Sequence, residues 1–360
     1  MFGKALRWSE KKIEQLSGSS KDEDDDDEDG EYVTSDKRQT HNDGFKGICK
    51  IGNSVCAVQS HHKAGQGIVV LDCGSIMKNK RRCAEDCERE ATFEVEDREP
   101  KGLVVVNDSI TYLTCMQNSS KIHSLHYMVR QKGKKGKVVR TVIWPEKYLK
   151  SKTSPKYLCY HDKTKFVYAV CGNGMVFRTR LESNKVEMFA HTGHAGARNI
   201  CFGLGTSSDF MIVTGKNYVA VFDMTNTKTR TPIFFQFFQK TSRDRRLFRV
   251  KPFRNNLWFE KAGNKFRKVC MIDGTMILLH SYGIAVVAHD FIEAKKDGTY
   301  SFVDANCADH RIYANLSGED PHDMVPIYVD RSKLNATLAV TVTGPNEIRT
   351  YEVDLFMKKE

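Results

Sequence analysis

From Phe45 to the C-terminus the chain alternates short apolar runs with clusters of Gly, Asn, Asp, Ser and Lys. GIVVLDC, GLVVVND, SITYLTC, FVYAVCG, FMIVTG, YVAVFDM, MILLHSYG, IAVVAHDF and TLAVTVTG are such runs, rich in β-branched and aromatic residues and bounded by turn formers. Short apolar stretches of this make read as strands, and many of them at regular intervals predict an all-β domain built as a sandwich, barrel or propeller. Two segments ahead of Phe45 differ. Residues 2–16 bring Phe2, Ala5, Leu6, Ile13 and Leu16 near one helical face, with Lys4, Arg7, Lys11 and Lys12 elsewhere and Trp8 at the rim, which predicts a short amphipathic helix. Between Leu16 and Phe45 almost nothing is apolar, and Asp22–Asp29 is an unbroken run of carboxylates whose self-repulsion predicts a disordered linker. The expected organisation is a helix over 1–16 that serves as a docking motif, an acidic linker over 17–43, and a β domain over 44–360.

A hairpin is written more than once in that domain. Gly215-Lys216-Asn217-Tyr218-Val219-Ala220-Val221-Phe222-Asp223 and Gly344-Pro345-Asn346-Glu347-Ile348-Arg349-Thr350-Tyr351-Glu352 share a pattern of Gly, Asn, alternating β-branched residues, an aromatic and an acid. Each follows an apolar strand ending in Thr, so each unit is strand, tight turn, strand. A looser copy runs through Phe166–Cys171, Gly172-Asn173-Gly174 and Met175–Thr179. The glycines at 172 and 215 lie 43 residues apart, and those at 215 and 344 lie 129 apart, three times that spacing. A period of about 40–45 residues with four strands per unit predicts propeller blades. At 43 residues each, 44–360 holds about seven, while insertions near 78–100, 128–140 and 240–270 leave room for six or eight. A pair of β-sandwiches accounts for the strands but not for the period.

Gly193-His194, Ile200-Cys201-Phe202, Ser207-Ser208-Asp209, Val213-Thr214-Gly215 and Val221-Phe222-Asp223 follow one another in an order that resembles a WD-repeat blade, from its Gly-His pair to its Trp-Asp pair. The resemblance is specific over residues 193–226. It departs from the repeat at Phe222, where Trp is usual, and at Lys216, where the turn aspartate is expected. It implies a divergent WD-repeat-like propeller in which His194, Gly215, Phe222, Asp223, Gly344 and Tyr351 are structural repeat positions, His194 bracing one blade. The family's closure scheme further implies that an early strand within Phe45–Ile51 supplies the outer strand of the last blade, because few residues follow Glu352.

Charge changes this picture in one respect. The net charge is +11, but residues 1–43 carry seven Lys/Arg against thirteen Asp/Glu, leaving +17 on 44–360. A basic body attracts acidic proteins or nucleic acid. Basic clusters occur at Lys78, Lys80, Arg81 and Arg82, at Lys132, Lys134, Lys135 and Lys137, and at Arg243, Arg245, Arg246, Arg249, Lys251 and Arg254, the last interleaved with Phe248, Phe253, Trp258 and Phe259. Cations that neutralise phosphate beside aromatics that stack on bases make 243–259 the best nucleic-acid candidate, against the plainer reading of a solvated loop.

Nothing in the sequence points to catalysis: it carries no serine elbow, phosphate-binding Gly-rich loop, kinase motif or zinc-protease His pair. Cys83 and Cys87, with Cys73, His61 and His62 nearby, have the spacing of metal ligands but no second matching pair, and read as thiols in a charged surface loop. His161-Asp162, His289-Asp290 and His322-Asp323 read as local hydrogen-bonding pairs. No cofactor, metal or small-molecule substrate is expected. The eleven scattered cysteines, the lack of a secretory signal and the lack of a long apolar stretch point to an intracellular protein, nuclear or cytoplasmic, without membrane insertion. The expected function is a non-catalytic protein-interaction scaffold within a larger assembly, with Phe2, Leu6, Trp8 and Ile13 as docking anchors. The alternative is an RNA- or DNA-binding factor that uses the basic loops.

Overall fold

The structure is a computed structural model. It describes residues 44–51, 55–62, 65–83, 89–93, 99–107, 111–117, 123–131, 134–143, 155–180, 182–183, 185–215, 218–225, 230–237, 266–280, 283–288, 291–295, 300–302, 311–316, 319–342 and 347–355. The expected N-terminal helix and acidic linker lie outside these residues. Those described belong to one compact unit, His41–Glu360.

The β-rich runs pair into antiparallel four-stranded sheets. One is Pro155–His161, Phe166–Cys171, Met175–Arg180 and Glu187–His191. The next is Ala197–Phe202, Phe210–Gly215, Tyr218–Asp223 and Phe234–Phe237. A third joins Phe266–Ile272, Thr275–His280, Gly283–Ala288 and Arg311–Asn315, with a small hairpin, Ile292–Ala294 and Tyr300–Phe302, between its last two strands. A fourth holds Pro321–Asp330, Asn335–Val342 and Glu347–Asp354, completed by Arg81–Cys83. Residues 44–143 form an eight-stranded sheet that divides into two antiparallel halves, 44–93 and 99–143, joined by a single parallel pair, Ala91 with Gly136. Counting the halves, the described residues contain six four-stranded arrangements. Their first strands are neighbours in cyclic order: Gly44–Ile51, Glu99–Asn107, Pro155–His161, Ala197–Phe202, Phe266–Ile272, Pro321–Asp330, and back to Gly44–Ile51.

Strand periodicity explains why the sequence runs are continuously apolar rather than alternating. Successive side chains point to opposite faces, and both faces of these sheets are covered. Phe210 and Ile212 pack with Val269, Met271, Met276 and Leu278 of the following sheet. Their neighbours Met211 and Val213 pack instead with Tyr168, Val170 and Phe189 of the preceding one. Likewise Leu338, Val340 and Val342 join Ile277, Leu279 and Ile284, whereas Ala339 faces Phe45, Ile48 and Ile76. The sheets that begin at Pro155, Ala197, Phe266 and Pro321 therefore each share one core with the sheet before and another with the sheet after.

The hairpin equivalence holds and the constant period does not. The turns after Cys171, Gly215 and Val342 all join the second and third strands of their sheets. Yet only one intervening sheet, beginning at Phe266, separates the 197–237 and 321–354 sheets, so the 129-residue gap spans two units made long by the 238–265 and 289–310 segments. The expected insertion at 128–140 is mostly strand, within His123–Gln131 and Lys134–Ile143. Gly215 is required at its turn, since a Cβ there would lie 2.0 Å from the Tyr218 ring.

The outer strand of the 321–354 sheet comes from the early chain, but not from Phe45–Ile51. Phe45 and Ile48 are fully buried, and their strand begins the first sheet by pairing with Val55–His62. Arg81–Cys83 fills the edge instead, with Arg81 opposite Arg349 and Cys83 opposite Glu347. It is delivered by a helix absent from the sequence reading, Cys73–Asn79, capped by the Asp72 carboxylate, which accepts from the Ser75 N–H at 2.6 Å. Lys80, at φ 56°, ends the helix by donating its N–H to the Ile76 carbonyl. The helix buries Cys73 and Ile76 against Ile327 and Ile348. The segment around Cys83 is thus part of a sheet and not only a surface loop, and its arginines suit an edge position.

Candidate functional site

The same irregularity recurs near the start of every first strand. Pairing shifts by one residue between Phe45 and Ile48, Pro100 and Gly102, Pro155 and Tyr157, Ala197 and Asn199, Phe266 and Lys268, and Pro321 and Asp323. Such a bulge kinks the strand and re-aims the side chains beside it. A cavity of about 10 Å³, room for about one water, sits where these bulges meet. Gly47, Leu103, Tyr157, Asn199, Lys268 and Asp323 line it, one from each first strand, together with Leu158 and His322.

Asp323 is the hub. Its Oδ2 accepts from the Ile48 N–H at 3.0 Å, a bond spanning 275 residues of sequence, and its Oδ1 lies 2.6 Å from the Lys268 ammonium. Oδ1 also accepts from the Met324 N–H at 2.8 Å, while the Asp323 N–H donates to the Thr341 hydroxyl at 3.0 Å. One carboxylate thereby ties together three consecutive sheets. Burial works against the Lys268 charge, but the adjacent Asp323 carboxylate, with Cys270 and Cys201 acting in the same sense, outweighs it and holds its pKa above the ordinary lysine value. Across the cavity, burial raises the Tyr157 phenol, with Arg267, Arg198 and Lys268 acting in the opposite sense. Arg267 itself pairs with Asp320 at 2.7 Å.

Two residues along the strands from Tyr157, Asn199 and Lys268 lies a row of thiols. Cys159, Cys201 and Cys270 each sit four residues after the start of their first strand. The Cys201 thiol donates to the Val269 carbonyl at 3.0 Å, and the Asn199 amide to the Arg267 carbonyl at 3.4 Å, linking neighbouring sheets. Burial pushes the Cys270 thiol up to about 12 and raises Cys159 and Cys201 as well. These thiols are protonated structural groups. Among the described residues no cluster of three His, Cys, Asp or Glu side chains is arranged to hold a metal.

The residues singled out from sequence fall elsewhere. His194 is exposed and stacks on Phe235 at 4.5 Å. Its carbonyl accepts from the Thr192 hydroxyl at 2.8 Å and the Tyr218 hydroxyl at 3.2 Å. Thr192 and Tyr218 thus knit this corner of the sheet. Gly215 and Phe222 are buried, Asp223 caps its own turn by accepting from the Thr225 N–H at 2.8 Å, and Tyr351 lies half-buried beside the 266–315 sheet. Gly344 lies outside the described residues, as do Phe2, Leu6, Trp8 and Ile13, and Arg243, Arg245, Arg246, Arg249, Lys251 and Arg254. Lys134 and Lys135 begin the strand Lys134–Ile143, with side chains outside the described set. His161 bonds locally through Nδ1 to the Thr164 hydroxyl at 2.9 Å, as its dipeptide reading expects. Asp323 bonds locally to the Met324 N–H but also reaches two other sheets. His289 and Asp290 lie outside the described residues.

Tyr157, Asn199, Lys268 and Asp323 were not singled out as a group from sequence. The signal was present but short: in each case a basic residue stands directly before the cavity residue, as Lys156-Tyr157, Arg198-Asn199, Arg267-Lys268 and His322-Asp323. It becomes visible only once the first strands are aligned.

No family model matches the chain, and no curated protein matches it. Among solved structures it is similar to a structural-genomics protein of unknown function from Bacteroides thetaiotaomicron, with 11% identity over 86% of this chain and 70% of that one at a TM-score of 0.49. It is also similar to a functionally unknown protein from Desulfotomaculum acetoxidans, with 13% identity over 82% and 81% of the two chains at a TM-score of 0.47.

Proposed function

We propose that residues 44–360 form a six-bladed, WD-repeat-like β-propeller acting as a non-catalytic platform that holds other proteins in a larger intracellular assembly. The observation that carries this reading is the cyclic order of the first strands around a space of only about 10 Å³. An interior filled by side chains directs binding to the rims and faces. The hairpin shared by the 197–237 and 321–354 sheets supports the blade reading, and the amphipathic pattern of residues 2–16, with Phe2 and Trp8 as anchors, supports a docking role for the N-terminus.

A second reading, direct RNA or DNA binding, draws support from the +17 charge on residues 44–360. Affinity purification of the intact protein with and without nuclease separates the two. Partners that survive nuclease digestion support the platform, and partners that vanish with the nucleic acid overturn it in favour of the second reading. Reversal of Arg245, Arg246 and Lys251 then locates that activity.

A further inference from the structure

The borrowed strand leaves one edge of the closing sheet open. Arg81–Cys83 pairs with Glu347, Ile348 and Arg349 and stands last in the order of its sheet, with no further strand beyond it among the described residues. The Thr350 N–H donates to the Lys80 carbonyl at 3.1 Å, so the bonded pairs of this ladder fall at Lys80 and, two residues on, at Arg82. Alternation along an antiparallel ladder then turns the backbone N–H and C=O groups of Arg81 and Cys83 away from the sheet. The approach to this edge is pinned as well. The helix Cys73–Asn79 buries Ile76 in the closing core, and Lys80, at φ 56°, donates its N–H to the Ile76 carbonyl at 2.9 Å.

Charge marks the same edge. From Cys73 to Cys83 the sequence holds no Asp or Glu. Lys78, Lys80 and Arg81 are exposed, and none of the three forms an ion pair among the described residues. Exposed cations elsewhere behave otherwise: Lys163 pairs with Asp209, Lys165 with Asp162, Arg331 with Asp273 and Lys333 with Asp330. Glu347, opposite Cys83, does not neutralise the edge, because it and Glu319 both hold Arg349. Asp72 caps the far end of the helix, and Glu352 is exposed further along its strand. Glu85, Asp86 and Glu88 come next in sequence, outside the described residues.

A strand edge that carries like charges repels a second copy of itself and disfavours basic segments. It suits an extended acidic segment, whose backbone continues the ladder while its carboxylates meet cations that lack partners. Nucleic acid answers the charge but has no strand to add. We propose that the open edge of Arg81–Cys83 receives an acidic segment of a partner protein as an added strand. This deepens the platform reading, on which it rests, by naming one docking edge and the chemistry of what docks there.

The test is titration of the full chain into fluorescein-labelled octaglutamate, read by anisotropy. A second peptide of equal charge is N-methylated at every residue, which removes the donors that an added strand needs. Two double variants remove equal charge from the protein: Lys78→Gln with Lys80→Gln at the edge, and Lys163→Gln with Lys333→Gln away from it. The expected result is one octaglutamate per chain, bound about tenfold more weakly by the edge variant and within about twofold of the natural protein by the other. N-methylation should weaken binding by about tenfold as well. Thermal melts check that both variants fold; if the edge pair does not, Lys78→Gln alone serves, with an expected loss of about threefold. Absence of binding overturns the proposal, as does equal weakening by both pairs or indifference to N-methylation. A uridine RNA octamer forms the last arm. Should it bind more tightly than octaglutamate with the same dependence on Lys78 and Lys80, the edge belongs to nucleic acid and the proposal falls. Its failure stays distinct from failure of the platform reading: partners that survive nuclease and bind the edge variant as well as the natural protein keep the platform and remove this edge from it.

Discussion

Two junctions between neighbouring sheets solve the same packing problem by different means. Between the 197–237 and 266–315 sheets the contact is between segments close in sequence. A broad apolar core joins Phe210, Ile212 and Val221 to Met271, Met276 and Leu278. At its margin Asp273 accepts from the Thr206 N–H at 3.0 Å and from the Arg331 guanidinium at 2.8 Å, clasping three consecutive sheets. Between the 321–354 and 44–93 sheets the partners come from opposite ends of the chain. That core is assembled from Phe45, Ile48, Cys73, Ile76, Ile327, Ala339 and Ile348, and it is reinforced by a borrowed strand and by the Asp323 bond to Ile48. Bringing such distant segments together costs chain entropy that neighbouring sheets do not face. The difference teaches that both junctions add a polar clasp to apolar burial, and that the last junction alone of the two adds strand exchange as well.

The largest expected effect is at Asp323. Asp323→Asn leaves the Lys268 ammonium buried without its counter-charge and should cost about 3–5 kcal/mol, read as a fall in the denaturant midpoint. A loss below about 1 kcal/mol, the range of exposed pairs, would remove Asp323 from its place as hub.

Acid should act on a different part of the molecule. Burial lowers His280, in the second strand of the 266–315 sheet, to about 3 from an ordinary value of 6.5. A base held neutral in this way contributes its full stability above pH 6.5 and loses it as the pH falls toward 3, a change on the order of 5 kcal/mol. Stability measured across that window should decline in the natural protein and decline less in His280→Leu. An unchanged slope in the variant would shift the acid sensitivity to other groups.

A smaller effect is expected at the ordinary junction. Asp273→Ala removes the acceptor for Thr206 and Arg331 but leaves the apolar core intact, at a cost of about 1–3 kcal/mol. Should Asp273→Ala prove more damaging than Asp323→Asn, the contrast between the two junctions is reversed.

Much of this fold was legible along the chain, and the reasons are physical. Continuous apolar runs such as Phe210–Gly215 and Thr275–His280 are what strands covered on both faces require, and their turn residues set the boundaries. The repeated hairpin marked equivalent positions correctly. The period misled because segments 238–265 and 289–310 lengthen two units without disturbing the hairpins that flank them. The helix Cys73–Asn79 was missed because seven residues are too few for helical periodicity to declare itself, and its cap, Asp72, also ends a strand. Arg81–Cys83 has no apolar pattern, since an edge strand meets solvent. The cavity residues were the least legible. Lys268 and Asp323 lie in different sheets, and only the shared bulge register brings the dipeptides Arg267-Lys268 and His322-Asp323 into relation.

Placing a cysteine at Glu347 tests the closing junction most directly, because Glu347 lies opposite the natural Cys83. After mild oxidation of the folded monomer, peptide mapping by mass spectrometry should find residue 347 linked to Cys83. A link to Cys49, in the Gly44–Ile51 strand, or no intramolecular link at all would contradict the account.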